Sequence, residues 1–396
     1  MAAALDNIKV VDLTRTLAGP FCTMLLGDMG ADVVKIEEPT AGDETRKWTP
    51  FWNGESCQFL TFNRNKRSLA VNLKEPEGVK IVRELAAGAD VMIESFRAGA
   101  LERMGLGYEE INKSNPGIVY CSISGYGRTG PMADMPGYDL LIQAYSGLMS
   151  LTGDPDGLPL RVGFSLVDLF AGMMAYGTIV TALRQRDQTG KGQWVEAALL
   201  DGQVATLSYH ATGFLGTGVE PNRMGSGHPS LVPYQSFSSS DGHFIVGCAN
   251  QGLWERLCQA IGQTGMLEDT RFATNTDRVE HRAECVDALN EIFKQNTTDH
   301  WVGLIVDAGV PCGPINTVSE VVSNPQVLAR NMISEVEHPN IPNLKFPSSP
   351  LKLTDSPATI RRVPPLLGQH NEEVLCEAGY SPEKIADLRE RGVISS

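Results

Sequence analysis

One carboxylate stands inside an otherwise apolar run, Arg161-Val-Gly-Phe-Ser-Leu-Val-Asp168-Leu-Phe-Ala-Gly-Met-Met-Ala-Tyr-Gly-Thr-Ile-Val-Thr-Ala-Leu183. Two kinds of chemistry suit an aspartate there. It can be a helix N-cap, its oxygens accepting free backbone N–H groups. If it also faces a cleft, it is a desolvated and fixed nucleophile, and the helix start is expected to hold it ionised. This stretch alone leaves both readings open. The apolar residues continue around the whole helical surface, which predicts a buried helix. Ala171, Gly172, Ala175 and Gly177 are small and spaced to let another backbone come close.

The basic residues suggest what such a nucleophile could act on. Asn63-Arg-Asn-Lys-Arg-Ser68 puts three cations in four positions before an expected strand, and Lys74 follows that strand. Arg97 and Arg103 follow another. Strand ends are where open α/β sheets bind ligands. The grouping points to a polyphosphate ligand, and without a P-loop a phosphorylated carrier fits better than ATP. All seven histidines lie after residue 209, so the first half offers Asp168 no histidine base. His228, in Gly225-Ser-Gly-His-Pro229, is the one placed to reach a cleft.

Other chemistries are disfavoured. The turn after the first strand reads Thr14-Arg-Thr-Leu-Ala-Gly-Pro-Phe and lacks the GxGxxG of nicotinamide enzymes, although Glu37 ends the second strand. There is no GxSxG elbow, and no HExxH or carboxylate cluster, so no metal is expected. The eight cysteines show no CxxC and no regular spacing, which suits a reducing cytoplasm. The start of the chain has no signal or transit character. A net charge of −14 argues against nucleic acid or an anionic membrane as partner. Asp168 interrupts the longest apolar run, so no transmembrane helix is expected.

These residues must be held by elements, and the pattern is α/β. Strands are expected at Ile8–Leu13, Asp32–Glu37, Ser68–Leu73, Asp90–Glu94, Ile118–Ser124 and Gln193–Ala198. Helices alternate with them: one to about Asp28, one opened by Glu75-Pro76, and others at Tyr138–Met149, from Asp168, and at Asp201–Phe214. With 396 residues, 42% of them hydrophobic, more than one domain is expected. Residues 1–212 read as a large domain with an open, Rossmann-like parallel sheet. Residues 213–240, rich in Gly, Pro and Ser, read as a linker. Residues 241–317 read as a smaller α+β domain, with helices near Leu253–Ile261, Arg282–Lys294 and Thr297–Ala308. Residues 318–396 read as a segment returning to the large domain.

With those residues in view, the chain resembles the family III CoA-transferases, the group of formyl-CoA and carnitine CoA-transferases. The segments that carry the likeness are Val11-Asp-Leu-Thr-Arg-Thr-Leu-Ala-Gly-Pro20, Gly27-Asp-Met-Gly-Ala-Asp-Val-Val-Lys-Ile-Glu37, Asn63–Arg67, Val91-Met-Ile-Glu-Ser-Phe-Arg-Ala-Gly99, Gly125-Tyr-Gly-Arg-Thr-Gly-Pro131 and the Asp168 stretch. Thr189–Gly192, His228–Gln235, Gly309–Pro314 and Pro365–His370 extend it along the chain. Within the family the likeness is greatest to the succinyl-CoA–glutarate CoA-transferases.

The resemblance implies Asp168 as nucleophile. It implies contacts to CoA from Thr16, Leu17 and Ala18, from Asn72, Leu73 and Lys74, from Ser95, Phe96 and Arg97, from Arg103 and Met104, and from Tyr138. It implies an interlocked homodimer. Its substrates would be an acyl-CoA and small carboxylic acids, with no permanently bound cofactor and CoA entering as a thioester. Arg46, Arg223 and His228 are candidates for holding a second carboxylate on the acid. The segment Gly225-Ser-Gly227 is a candidate lid, and the N–H groups after Asp168 are candidate oxyanion donors. One departure is Glu38, where formyl-CoA transferase carries a basic residue. The related α-methylacyl-CoA racemases use a histidine in a Gly-His-Asp segment, whereas this chain reads Gly137-Tyr138-Asp139. Tyrosine, with a pKa near 10, is a poor proton shuttle at neutral pH, so transfer is favoured over racemisation. A CoA-binding protein without catalysis is the third alternative.

Overall fold

The computed structural model describes residues 3–395. The chain divides into two compact units. One comprises Met1–Ser146, Val162–Gly213 and Gln326–Ser396, the other Gly147–Arg161 and Phe214–Pro325.

Six strands form the first unit's sheet: β1 (Lys9–Leu13), β2 (Asp32–Glu37), β3 (Lys66–Ala70), β4 (Val91–Glu94), β5 (Val119–Ser124) and β6 (Gln193–Ala198). They lie in the order β3-β2-β1-β4-β5-β6, every neighbour parallel. Helices that bear on the site include α1 (Ala18–Asp28), α2 (Pro76–Ala87), α3 (Asp139–Tyr145), α4 (Leu166–Thr189) and α5 (Leu199–Thr206). Side chains alternate between two cores. Val10, Val33 and Val91 pack with α1 and α4 on one face, while Val11, Val34 and Met92 pack with α2 on the other. Burial on both faces is why these strands read as near-continuous apolar runs. The strand order changes direction between β1 and β4, and a crevice outside the carboxyl ends of such a pair is the usual ligand site.

Helix α4 departs from the expectation of burial all round. Val167, Ala171, Gly172, Ala175, Ile179, Ala182 and Leu183 are buried, but Met173, Gly177 and Thr181 are exposed. By length and composition alone α4 could cross a membrane; in this fold its inner face packs on α1. A Cβ on Gly172 would lie 2.6 Å from the Ala18 carbonyl oxygen, so the two backbones do approach there. Gly177 meets nothing and plays no such part.

The Asn63–Ser68 cations also prove to be structural. They lie at the amino end of β3, away from the ligand end of the sheet. Arg64 donates from Nε and Nη2 to Asp28 at 2.9 and 2.6 Å. Lys66 reaches Asp12, the Pro20 carbonyl and Asn63. Arg67 pairs with Asp32, Glu373 and Glu377. The carboxy-terminal segment covers the β3 edge: Ser68 N–H donates to His370 Nδ1 and Ala70 N–H to Asn371 Oδ1. An edge strand paired in this way offers little to a foreign strand.

The second unit has a three-stranded antiparallel sheet of β7 (Tyr234–Ser238), β8 (His243–Gly247) and β9 (Cys312–Pro314), ordered β9-β8-β7. Helices α6 (Gln251–Ala260), α7 (Arg282–Phe293) and α8 (Thr298–Asp307) pack on it. Phe237, Phe244, Trp254, Phe293 and Trp301 dominate its core. The expected boundaries shift accordingly. Residues 213–240 contain an edge strand and the fully buried Val232, so most of that stretch is not a linker. Residues 147–161 also join this unit. The helix expected over Tyr138–Met149 ends at Tyr145, and Gly147, at φ +89°, separates it from Leu148–Leu151. The one expected over Asp201–Phe214 is split at Ser208, at φ +43°.

Breaking one side of the Arg64–Asp28 pair leaves a buried charge alone. Arg64→Ala or Asp28→Ala is expected to cost about 3–5 kcal/mol in urea unfolding, and the double change to Met and Leu much less.

Candidate active site

The turn from β1 into α1 is set by buried charges. Asp12, with no exposed surface, accepts from Thr14 N–H at 2.9 Å, Thr14 Oγ1 at 2.5 Å and Thr23 Oγ1 at 2.6 Å. Burial pushes its pKa up, but Lys66 and Lys35 outweigh this and hold it below the ordinary value. Lys35 Nζ donates to the Thr14 carbonyl at 2.9 Å and pairs with Asp43 at 2.9 Å. Asp43 takes the Thr16 N–H at 3.2 Å. Burial works against the Asp43 charge, yet Lys35 prevails and its pKa falls to about 2. These bonds over-determine a strained residue. Thr16 has φ +72°, in the left-handed region that a β-branched residue rarely enters.

Asp168 enters from α4, whose N-cap is Ser165. The cap bonds come from elsewhere. Asp139 Oδ1 accepts from Val167 N–H at 2.9 Å and Asp168 N–H at 3.4 Å. Gln143 Nε2 holds Asp139 Oδ2 at 2.6 Å, and Gln143 Oε1 takes the Val162 N–H at 2.9 Å. Asp168 is therefore not the cap, and its carboxylate makes no hydrogen bond to any described residue. The N–H groups expected as oxyanion donors are already taken, by Asp139 and, for Leu169, by Ser165. The expectation of a firmly ionised Asp168 is also corrected. Burial first, then the like charge of Asp139, raise its pKa from 3.8 to about 7.

Asp168 opens into a cleft of about 220 Å³ at the β1–β4 switch. Thr16, Leu17 and Ala18 line it from the β1 turn, and Ser95, Phe96 and Arg97 from the end of β4. Tyr138 lines a third side. Its segment crosses the end of β5 because two glycines touch: a Cβ on Gly125 would lie 2.4 Å from Gly137 Cα. A second cleft of about 230 Å³ is lined by Asn72, Leu73, Lys74, Met104 and Glu38. Arg15 and Phe96 line both, with the guanidinium 5.1 Å above the ring. Of the residues expected to meet CoA, only Arg103 lines neither. Glu38 turns its carboxylate onto Thr40 and Ala41 N–H, and Lys74 and Arg15 are cations that line this cleft.

Of the acid-binding candidates, Arg46 does not line this cleft. Arg46 is committed to Glu37 through two 2.7 Å bonds, lies 3.6 Å from the centre of the Phe59 ring and donates to the Pro365 carbonyl. That occupies the face a second carboxylate would need. Arg223 and His228 belong to the other unit. Arg223 donates to the Asp154, Pro155 and Gly157 carbonyls. His228 Nδ1 accepts the Ser230 N–H, and its ring meets Tyr234 edge-on. The Gly225–Gly227 turn is held by the Gly153 carbonyl and by the Ser226–Ser236 hydroxyl pair. Among the described residues no group of His, Cys, Asp and Glu could hold a metal.

Reading by residue type missed Asp139, Gln143, Lys35, Asp43 and Arg128. The one available signal was Asp139, a carboxylate directly after a Gly-Tyr pair and before an apolar helix.

This geometry agrees with what the chain is similar to. The sequence pattern of CoA-transferase family III matches residues 5–371. A human succinyl-CoA:glutarate CoA-transferase is 44% identical over 392 residues, 98% of this chain and 90% of that protein. A succinate–glutarate CoA-transferase of Agrobacterium fabrum is 39% identical over 381 residues, 94% of this chain and 95% of that one. A solved structure, a CAIB/BAIF family protein from Brucella suis, superimposes with a TM-score of 0.86 at 39% identity, over 96% of this chain and 100% of its own. The chain belongs to CoA-transferase family III, enzymes whose substrates include CoA thioesters.

Two predictions follow the raised pKa of Asp168. A carboxyl attacks only when ionised, so with Asp168 as the expected nucleophile kcat/KM for an acyl-CoA should fall below about pH 7, and Asp139→Asn should move that acid limb to lower pH. Between pH 3.8 and about 7 the folded protein keeps a proton that the unfolded chain has lost, so stability falls as pH rises through that window. Asp168→Asn should raise Tm over wild type more at pH 8 than at pH 4, read by calorimetry.

Proposed function

We propose that this enzyme moves CoA from succinyl-CoA to a small dicarboxylic acid through covalent intermediates on Asp168. One observation carries the reading: a half-buried carboxylate with no hydrogen-bond partner among the described residues, in the lining of the switch-point cleft. The names of the human and Agrobacterium relatives support the choice of acids.

An Asp168 oxygen attacks the thioester carbonyl, the C–S bond breaks, and CoA leaves as thiolate from an aspartyl–acyl anhydride. The thiolate attacks the Asp168 carbonyl carbon, expelling the donor as its carboxylate and leaving an aspartyl–CoA thioester. The acceptor carboxylate attacks that carbon and expels the thiolate, giving a second anhydride. The thiolate then attacks the acceptor's acyl carbon and frees Asp168. Each step exchanges one acyl bond for another, which is how covalent catalysis divides a difficult transfer. The raised pKa suits this role, since a more basic carboxylate is the better nucleophile. CoA itself fits the paired clefts, with its nucleotide end toward Lys74 and its thioester toward Asp168.

A homodimer belongs to the same proposal. Leu140, Leu141 and Tyr145 of α3 are exposed, as are Phe164 and Met173 beside them in α4 and its approach. Helix α3 packs on α4, and exposed apolar side chains on two packed helices are the kind of surface self-association covers. Sedimentation should give twice the chain mass, and Leu141→Glu should halve it.

Asp168→Ala should lower exchange by roughly 10⁴-fold or more while CoA binding persists. Hydroxylamine added during turnover with succinyl-CoA should label Asp168, read by peptide mass. Full exchange by Asp168→Ala, or an unlabelled peptide, would defeat the covalent route.

A further inference from the structure

The turn Gly125-Tyr-Gly-Arg-Thr-Gly-Pro131 follows β5 and is not used by the steps above. Gly127, at φ +96°, and Gly130, at φ +86°, shape it, and Gly127 N–H donates to Ser124 Oγ at 3.1 Å. The turn delivers Arg128 to the wall of the Asp168 cleft. Only 7% of its side chain is exposed. Nη2 is paired with Glu94, while Nε is shut off from solvent with no partner among the described residues. Glu94 does not depend on Arg128 alone, since its other oxygen accepts the Phe96 N–H at 2.8 Å.

Donors withdrawn from water normally find a partner; among the described residues Arg128, Arg278 and Arg282 each leave a buried guanidinium nitrogen without one, and of these Arg128 alone lines this cleft. Two other arginines line this cleft, but both stand in solvent. The Arg15 side chain is 48% exposed and pairs with Glu44 at 3.6 Å, and Arg97 is exposed. Exposed cations suit phosphates at the rim. A carboxylate carried on the acyl group must enter the dry part of the cleft with Asp168, where like charge repels it. There it needs a desolvated cation with directed N–H groups, which is what an arginine offers.

We infer that Arg128 is the specificity-determining residue that receives the second carboxylate of a dicarboxylic acyl group in the Asp168 cleft. The inference rests on the CoA transfer proposed above. It explains an arginine whose buried Nε has no partner among the described residues, in the wall of the cleft that Asp168 also lines. It also replaces Arg46, whose guanidinium is already committed to Glu37.

The test compares two donors of equal carbon count, succinyl-CoA and butyryl-CoA, each with glutarate as acceptor. In Arg128→Gln, kcat/KM for succinyl-CoA should fall about 100-fold, mainly through KM. For butyryl-CoA it should change less than about threefold, so that the preference for succinyl-CoA collapses. Arg128→Lys keeps the charge and the Glu94 partner and should lose part of the preference; it gives the answer if the Gln variant fails to fold. An equal fall for both donors would show that Arg128 acts on the reacting centre instead, and an unchanged ratio in a folded variant would overturn the inference outright. A wild-type protein that moves CoA from neither donor would instead overturn the transfer reading, and this inference with it.

Discussion

The structure turns on which carboxylate satisfies the start of α4. The first N–H groups of a helix need acceptors, and here Asp139 supplies one from a neighbouring helix while Gln143 holds it in place. Asp168 is thereby relieved of the task that an aspartate in a first turn usually performs. A carboxylate that capped its own helix would be stabilised as an anion and pinned by hydrogen bonds, which makes a poor nucleophile. Set free, half-buried and near a second negative charge, it becomes more basic. The cap and the raised pKa of Asp168 are one arrangement.

The opposite wall depends on charges that never meet solvent. Asp12, Lys35, Lys66 and Asp43 are buried together, and burying ions is costly unless each is paired and hydrogen-bonded. The pairing here is tied to geometry: Lys35 and Asp43 together grip Thr14 and Thr16, and Thr16 is held in a conformation it would not adopt alone. Burial outweighs the attraction of Asp12 and lowers the Lys66 pKa to about 8. A nonpolar replacement would pack, but would not hold the turn against the cleft.

Near Asp168 the cleft mixes signs, and burial separates the roles. Arg15 and Arg97 remain in water, where they can meet a hydrated phosphate with little desolvation. Arg128 is withdrawn from water and held by Glu94, so its charge is strong, directed and selective. The same residue type serves attraction at the rim and discrimination inside.

The sequence by itself determined the α/β alternation, the strands Asp32–Glu37 and Gln193–Ala198 to the residue, and Asp168 as the singular carboxylate in an apolar run. Those signals are local: periodicity, a buried strand's unbroken apolar run, and one charge where none is expected. It also carried the motifs that align the chain with its family. Tertiary structure decided the rest, because partners lie far apart in sequence. The cations Arg64, Lys66 and Arg67 read as ligand-binding until Asp28, Asp12 and Asp32 were found beside them. Arg46 lost its candidacy to Glu37. The outer face of α4, apolar in sequence, lies at the surface, since composition cannot say which side of a helix meets the sheet. Asp139, 29 residues before Asp168, could be recognised as its cap only once the fold had brought the two together.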